Sequence, residues 1–450
     1  LTGLSNSAID AVASWNHESQ ELRMRWQWLA VFLWGLTVST STAMAADPEG
    51  SEALQVLVGP GGSGLEAMAI PDVRCGADTP VAICRMVAEV LRKDMTISFM
   101  YSVIPVRSYL ADPEADLLDA PSFNDWNNIA ARWVIKAEVS GKGPFDAEFR
   151  LFNVVDRTSV AVREQSFKGV GDTALRKVVH RFCNGVLEAR TGVPGVFDTT
   201  IAYSYVAGLG VKGIGAVNMD GEGRTGLVSN GNINTLPAWG FGGVLYTSFI
   251  GGQPELYFGK RKLSRDGGHY RKVAVSPDGG KMVASISYGG QSDIYLMSPD
   301  GQVLSNLTNT EADEVGPTFS PDGGKIAFVS SASGSPQIYV MGAGGGGMKR
   351  ISHAGGYNYS PDWGKNGLIV FAAMDGAASD IFTVSESGEM RRLTQNQGFN
   401  KDPSWSRDGR YVAFSSSRAE GTGLWIMSAD GRYQMLIARG GGIGNIAWEK

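Results

Sequence analysis

The chain is predicted to be multidomain, with a small N-terminal α/β domain followed by a six-bladed β-propeller. Three observations predict it. Ser-Pro-Asp-Gly turns recur through the second half at a spacing near forty residues. Short β-branched and aromatic runs bracket each turn. The stretch ahead of them mixes helical and strand periodicities without that repeat. A fixed period marks one supersecondary unit copied several times. Closing the copies into a ring removes the exposed edges of an open array.

The fullest turns are Ser276-Pro277-Asp278-Gly279 and Ser320-Pro321-Asp322-Gly323. Ser360-Pro361-Asp362-Trp363 and Ser406-Arg407-Asp408-Gly409 read as decayed copies. Pro presets φ for a turn, and Gly accepts the left-handed conformation that closes it. Strand-like runs follow at 281–287, 325–330, 368–372 and 411–415. A second anchor recurs as Leu256-Tyr257, Ile294-Tyr295, Ile338-Tyr339, Ile381-Phe382 and Leu424-Trp425, at intervals of 38, 44, 43 and 43 residues. Another turn follows, as in Ser298-Pro299-Asp300-Gly301 or Ser428-Ala429-Asp430-Gly431, and then a polar strand such as 390–394. Each unit is thus about four short antiparallel strands, the content of a propeller blade.

Blades are counted from Trp239, Val275, Phe319, Tyr359, Trp405 and Trp448, spaced by 36, 44, 40, 46 and 43 residues. The copy ending at Trp448 cannot complete a blade alone. It is expected to join strands from about 198 to 236, giving six blades. Five or seven would also accommodate the diverged first unit.

Residues 1–23 have no domain character and read as a non-native extension. From Met24 a basic start, a short apolar core and Ala43-Met44-Ala45 describe a cleavable signal at 24–45. The apolar run is short for a membrane span, and an uncleaved anchor is the alternative. Cleavage after Ala45 leaves 405 residues, enough for two domains. These are placed at 46–192 and 193–450. The first shows strands near 54–58, 99–106, 133–139 and 147–156, and helices near 82–93, 123–131 and 173–191. A three-layer or sandwich arrangement follows from that mix. Thr191-Gly192-Val193-Pro194-Gly195 ends the last helix.

Little in the composition points to catalysis. The formal charge is −5 and no basic stripe with aromatics occurs, so no nucleic-acid partner is expected. Of four histidines, His17 precedes the mature chain, His180 sits in a helical pattern, and His269 and His353 fall in loops without a partner cluster. No cofactor or metal is expected. The glycine loop 59–64 lacks the Lys-Ser/Thr end of a phosphate loop. No Gly-x-Ser-x-Gly elbow occurs. Asn218-Met219-Asp220-Gly221-Glu222 lacks the spacing of a calcium loop. The Asp residues of the repeated turns read as turn formers. An exported chain could bridge Cys75 and Cys84 or leave them reduced, with Cys183 a buried small hydrophobe.

Four stretches carry a family resemblance. Leu175-Arg176-Lys177-Val178-Val179-His180-Arg181 with Thr191-Gly192-Val193-Pro194-Gly195-Val196-Phe197 resembles the junction of the TolB family, and Ile201-Ala202-Tyr203 the start of its propeller. Phe149-Arg150-Leu151-Phe152-Asn153-Val154-Val155-Asp156 resembles a strand of its first domain. The resemblance covers nearly all of 47–450. It implies a non-enzymatic periplasmic component of the Tol-Pal system, which maintains outer-membrane integrity and aids envelope constriction in division. It implies a Pal-like peptidoglycan-associated lipoprotein bound on one propeller face. It also implies a TolA-like inner-membrane protein bound by the mature N-terminus, from Ala46 and Asp47 to about Leu54, acting as a movable strand. No membrane span remains after cleavage.

By the same motif, the Pal-binding loops correspond to Asp313 and Glu314, Gly355 and Gly356, and Lys401 and Asp402. Gly355-Gly356-Tyr357 departs from the family's frequent Thr-Glu-Pro, and Cys75 and Cys84 are unusual for it. The alternatives are a propeller enzyme or lyase acting on peptide or glycan, and a glycan-binding propeller with Tyr357 and Tyr359 as an aromatic platform.

Overall fold

The computed structural model describes 64–113, 115–265, 267–376 and 378–450, and the backbone of 56–58. The predicted signal, Ala46, Asp47, Leu54 and most of the glycine loop lie outside the described residues. Strand β1 (Val56–Val58) belongs to the propeller.

The first domain is one mixed sheet with helices. Its strands are β2 (Glu66–Ala69), β3 (Arg74–Cys75), β4 (Tyr101–Val103), β5 (Trp133–Ser140), β6 (Phe145–Asn153), β7 (Thr158–Val160) and β8 (Ser166–Val170). The order is β4-β2-β5-β6-β7, with β3 extending the parallel pairing on β5 and β8 pairing β6. Two amphipathic helices cover one face. In α1 (Val81–Ile97), Cys84, Val87, Ala88, Leu91 and Met95 recur every three or four residues and are buried. The short α2 (Phe123–Asn128) helps bury the other face through Trp126. In α3 (Asp172–Thr191), Leu175, Val178, Val179, Phe182 and Val186 are buried, and Phe182 stacks on Phe149 at 4.8 Å. Gly192, at φ +76°, ends α3 by donating its N–H to Glu188 O. Cys75 is joined to Cys84, with Cα atoms 6.1 Å apart, tying β3 to the first turn of α1. Cys183 is buried as a free thiol. No helix among the described residues is long and apolar enough to cross a membrane.

Six sheets form the propeller. Their inner strands are Asn234–Gly240, His269–Val275, Glu314–Phe319, Tyr357–Trp363, Asn400–Trp405 and Gly444–Trp448, and we number blades 1 to 6 in that order. In blade 6 the C-terminal strand pairs with Thr200–Gly208, followed outward by Val211–Asn218 and Thr225–Val228. The ring is therefore closed by strands from both ends of the propeller sequence. Blade 5 has a fifth strand, because β1 adds antiparallel to Tyr433–Arg439 with Val56 opposite Met435. The sequence reading placed this strand in the first domain. Its partner is instead the unpaired outer edge of a blade, which offers a ready row of backbone donors and acceptors.

The Ser-Pro-Asp-Gly turns are built as their chemistry dictates. Ser276 Oγ donates to Asp278 Oδ1 at 2.5 Å, while Asp278 also accepts the Gly280 N–H at 2.9 Å. The Ser276 hydroxyl accepts the Lys281 N–H, closing the hairpin. Ser320 with Asp322 and Ser406 with Asp408 repeat the pattern.

Ser360-Pro361-Asp362-Trp363 is different and is not a turn. It lies inside the inner strand of blade 4, and the hairpin is closed at Gly364–Gly367, where Gly367 N–H donates to Gly364 O. Ser360 has φ +53°, as Leu236, Gly316, Asp402 and Asn445 have φ between +49° and +66° in their own inner strands. Each of these residues lies within a register shift, so they mark a bulge repeated around the axis. Trp363, not Tyr359, thus occupies the position of Phe319 and Trp405. Asp362 reaches the neighbouring blade, accepting Trp405 N–H at 2.7 Å and the Ser404 hydroxyl at 3.2 Å.

Trp448 seals the ring. It is 2% exposed, stacks on Tyr411 at 6.4 Å, and its indole N–H donates to Thr199 Oγ1 at 2.8 Å. Trp448→Ala is expected to cost about 3–5 kcal/mol, read as a lower denaturation midpoint of the propeller transition. Unchanged unfolding would show that the closing strand is not needed to hold the ring.

Candidate functional site

Each inner strand runs from one propeller face to the other. One face, here the turn face, carries the Ser-Pro-Asp-Gly hairpins. The opposite face, the open face, carries the loops that lead into the inner strands.

The first domain docks on the turn face. Phe99 stacks on Tyr433 at 5.9 Å, and Tyr411 donates its hydroxyl to Ser98 O at 3.3 Å. Arg410, just beyond a hairpin turn, donates to Thr191 Oγ1 and to Val193 O. The open face is the one on which this domain leaves the loops uncovered.

A repeated polar network holds that face. In blade 2, Thr308 Oγ1 donates to Asp293 at 2.9 Å and accepts Ile294 N–H at 3.0 Å. In blade 3, Ser352 Oγ donates to Gln337 at 2.7 Å and accepts Ile338 N–H at 2.8 Å. In blade 4, Thr394 Oγ1 donates to Asp380 at 2.6 Å and accepts Ile381 N–H at 2.9 Å. Asn358 and Asn400, at the start of the next inner strand, donate into the second and third of these sets. Buried networks of this kind fix loop positions. Blade 5 substitutes a buried arginine. Arg418 donates to Gln434 and Asn400 and lies 4.2 Å from the Trp425 ring centroid. Burial pushes its pKa down to about 10.

The six predicted contact residues separate on inspection. Gly355 and Gly356 are exposed loop residues on the open face. A Cβ on Gly355, at φ +85°, would come within 2.4 Å of Asn358 Oδ1, so the loop requires glycine there. Asp313 is half-buried and accepts Ser292 N–H at 2.9 Å. Glu314, Lys401 and Asp402 are not loop residues, because they lie in inner strands. Glu314 is buried and accepts Thr310 and Ser330 hydroxyls at 2.8 and 2.9 Å, which places its carboxylate inside a blade. Asp402, at a bulge, accepts Asn445 N–H at 2.8 Å near the channel.

The residue types that sequence reasoning passed over lie at that channel. Lys272 Nζ donates across it to Pro361 O at 2.9 Å, and Lys450 Nζ donates to Asp362. Burial lowers the Lys272 pKa. Burial pushes Asp362 up, but Lys450 and Lys272 outweigh it and hold the carboxyl below its ordinary range. A proline two residues before Trp239, Phe319, Trp363 and Trp405 marks this bulge in the sequence.

The calcium-like segment 218–222 is a turn-face hairpin whose acids already have partners. Asp220 pairs with Arg176, and Glu222 with Lys93 at 2.9 Å. Among the described residues, Asp94, His180 and Asp220 place donor atoms within 4.8 Å of one another, as a metal site would require. They do not converge. His180 Nδ1 lies 2.7 Å from Asp94 and Nε2 lies 3.5 Å from Asp220, on different edges of the ring, while Arg176 already occupies Asp220. The set fits a charge cluster better than an ion.

A model of the TolB beta propeller domain matches 187–450, and one of the TolB amino-terminal domain matches 54–160. The Tol-Pal system protein TolB of Anaeromyxobacter dehalogenans is 35% identical over 249 residues, 53% of this chain and 56% of that protein. Its counterpart in another Anaeromyxobacter strain is 35% identical over 300 residues, 64% of this chain and 67% of that protein. The alignments thus span between about half and two thirds of these relatives. The solved structure of TolB from Acinetobacter baumannii superposes with a TM-score of 0.74 at 22% identity, covering 88% of this chain and 99% of that one, a likeness of fold.

Burial raises the Glu314 pKa, against the pull of the Thr310 and Ser330 hydroxyls. A raised carboxyl stabilises the fold below its unfolded value and loses that contribution as pH rises through the folded one. Glu314→Gln should therefore gain melting temperature relative to the parent, by on the order of 2 °C, at neutral pH but not in acid. Melting curves at both pH values check this, and an equal shift at each would count against it.

Proposed function

The chain belongs to the TolB family, and from that premise we propose that it is a non-enzymatic, periplasmic protein-binding component of a Tol-Pal system. In this reading it links a Pal-like lipoprotein to a TolA-like inner-membrane protein, supporting outer-membrane integrity and envelope constriction. The observation that carries the reading is the open face: exposed loops held in place by buried hydrogen bonds, with the first domain docked on the other side. A surface preorganised in this way avoids much of the ordering cost of association.

Pal-like lipoprotein is assigned to the open face. Gly355 and Gly356 offer backbone at the surface there, and Asp313, Lys401 and Asp402 offer half-buried charge. Glu314 shapes the face from within. The TolA-like partner is assigned to the segment before β1, including Ala46, Asp47 and Leu54. That segment leads directly into a strand added at a blade edge, and strand addition is a recurrent way of capturing a peptide. The signal-like segment 24–45 supports a periplasmic address.

Mature protein used as bait in envelope extract should recover a Pal-like lipoprotein, with and without residues 46–54. Removal of 46–54 should abolish recovery of the TolA-like protein alone. Gly355→Asp should lower lipoprotein recovery at least tenfold. Recovery of no envelope lipoprotein, or normal outer-membrane integrity in a deletion strain, would defeat the proposal.

A further inference from the structure

At the joint between first domain and propeller, four titratable side chains cluster. Asp94 comes from α1, and Arg176 and His180 come from α3. Asp220 comes from the turn-face hairpin of blade 6. Asp94, His180 and Asp220 are all at most 3% exposed.

Proton placement decides whether this arrangement attracts or repels. His180 Nδ1 lies 2.7 Å from Asp94 Oδ2, and Nε2 lies 3.5 Å from Asp220 Oδ2. With both carboxylates ionised, a neutral imidazole has a single N–H. It would leave a bare nitrogen lone pair facing one carboxylate in a buried site, which is costly. One added proton removes the conflict. It can rest on the imidazole, making imidazolium, or on Asp94, which then donates to Nδ1. In both placements Nε2–H points to Asp220. The imidazolium form also closes the charge, with Asp94 and Asp220 set against His180 and Arg176.

We infer that one buried proton, shared between His180 Nδ1 and Asp94 so that Nε2–H is left facing Asp220, holds the first domain against the propeller, and that its loss with rising pH frees the joint. The surroundings agree. Burial pushes His180 down, but Asp94 and then Asp220 outweigh it and hold its pKa above the ordinary 6.5. Burial pushes Asp94 up, against the pull of His180. The Cys183 thiol beside Asp94 is pushed well up by burial, as is the Tyr411 hydroxyl from blade 5. Lys93 and Glu222 pair at 2.9 Å toward the solvent edge.

The sign follows from linkage. A group with a raised pKa contributes fully below 6.5 and loses its contribution as pH rises through the raised value. Within that window the constant for opening the joint should rise about tenfold per pH unit.

Mature protein carrying labelled histidine rings would be titrated by NMR between about pH 6 and about pH 9. Hydrogen exchange at 90–95 and 218–222, corrected for intrinsic rates, would be followed over the same range. The ring assigned to His180 should titrate above 6.5, and opening should track it. Asp220→Asn should lower that titration and flatten the pH dependence, whereas Lys93→Ala should leave the dependence in place. The wild-type titration stands even where the Asn variant folds poorly. Titration at or below the ordinary value, or opening independent of pH, would overturn the inference. So would chelator-treated protein that opens at every pH and closes on added zinc, since a metal would then hold the joint.

Discussion

The ladder between Thr200–Gly208 and Gly444–Trp448 is the constraint on which the remaining structure depends. The four consecutive strands of each other blade form a meander that their own neighbourhood in the chain can build. Blade 6 alone takes its inner strand from residues more than two hundred positions away from the strand it pairs with, so this pairing carries a large loop-closure cost and is the one that closes the ring. Once it forms, Trp448 fills the space between Tyr411 and Thr199, and Ser404 accepts its backbone N–H at 3.1 Å. The same strand places Asn445 against Asp402, which connects closure to the lining of the channel.

Closure also explains why the two faces differ. The inner strands bulge at a common level, and each non-glycine residue held in the left-handed region there costs roughly 1 kcal/mol. That cost is borne by residues whose neighbours fix them, such as Ser360 beside Asp402 and Asn445 beside Thr235. Above the bulge, hydroxyl and amide groups hold the open-face loops. Below it, hairpin turns and aromatic rings receive the first domain. The open face and the docking surface are thus separated by the length of one strand, and neither has to be remodelled to form the other.

The repeat was legible because turns constrain residue type strongly: an Asp that accepts the amide two residues on, and a Gly at positive φ, leave few substitutes. The same letters misled at Ser360-Pro361-Asp362. There the proline serves a strand bulge, as it does after Leu236, Gly316 and Asp402, and only its fixed distance from the following aromatic separates the two uses. Helices α1 and α3 were readable from their apolar spacing, which burial imposes. Glu314 was read as a loop residue because the boundary between loop and strand has no chemical signature of its own. The His180 cluster left no local trace, since Asp94 lies 86 residues before it and Asp220 belongs to the other domain.

Blade 5 is where these features meet. β1 lies on its outer edge, Tyr411 and Tyr433 on its turn side touch the first domain, and Lys401 and Asp402 in its inner strand face the channel. It is one continuous five-stranded hydrogen-bonded sheet. Stripping the outermost strand exposes Tyr433–Arg439 as a fresh edge, and Tyr433 is also the ring on which Phe99 stacks. The N-terminal strand and the seating of the first domain therefore rest on one and the same strand, Tyr433–Arg439.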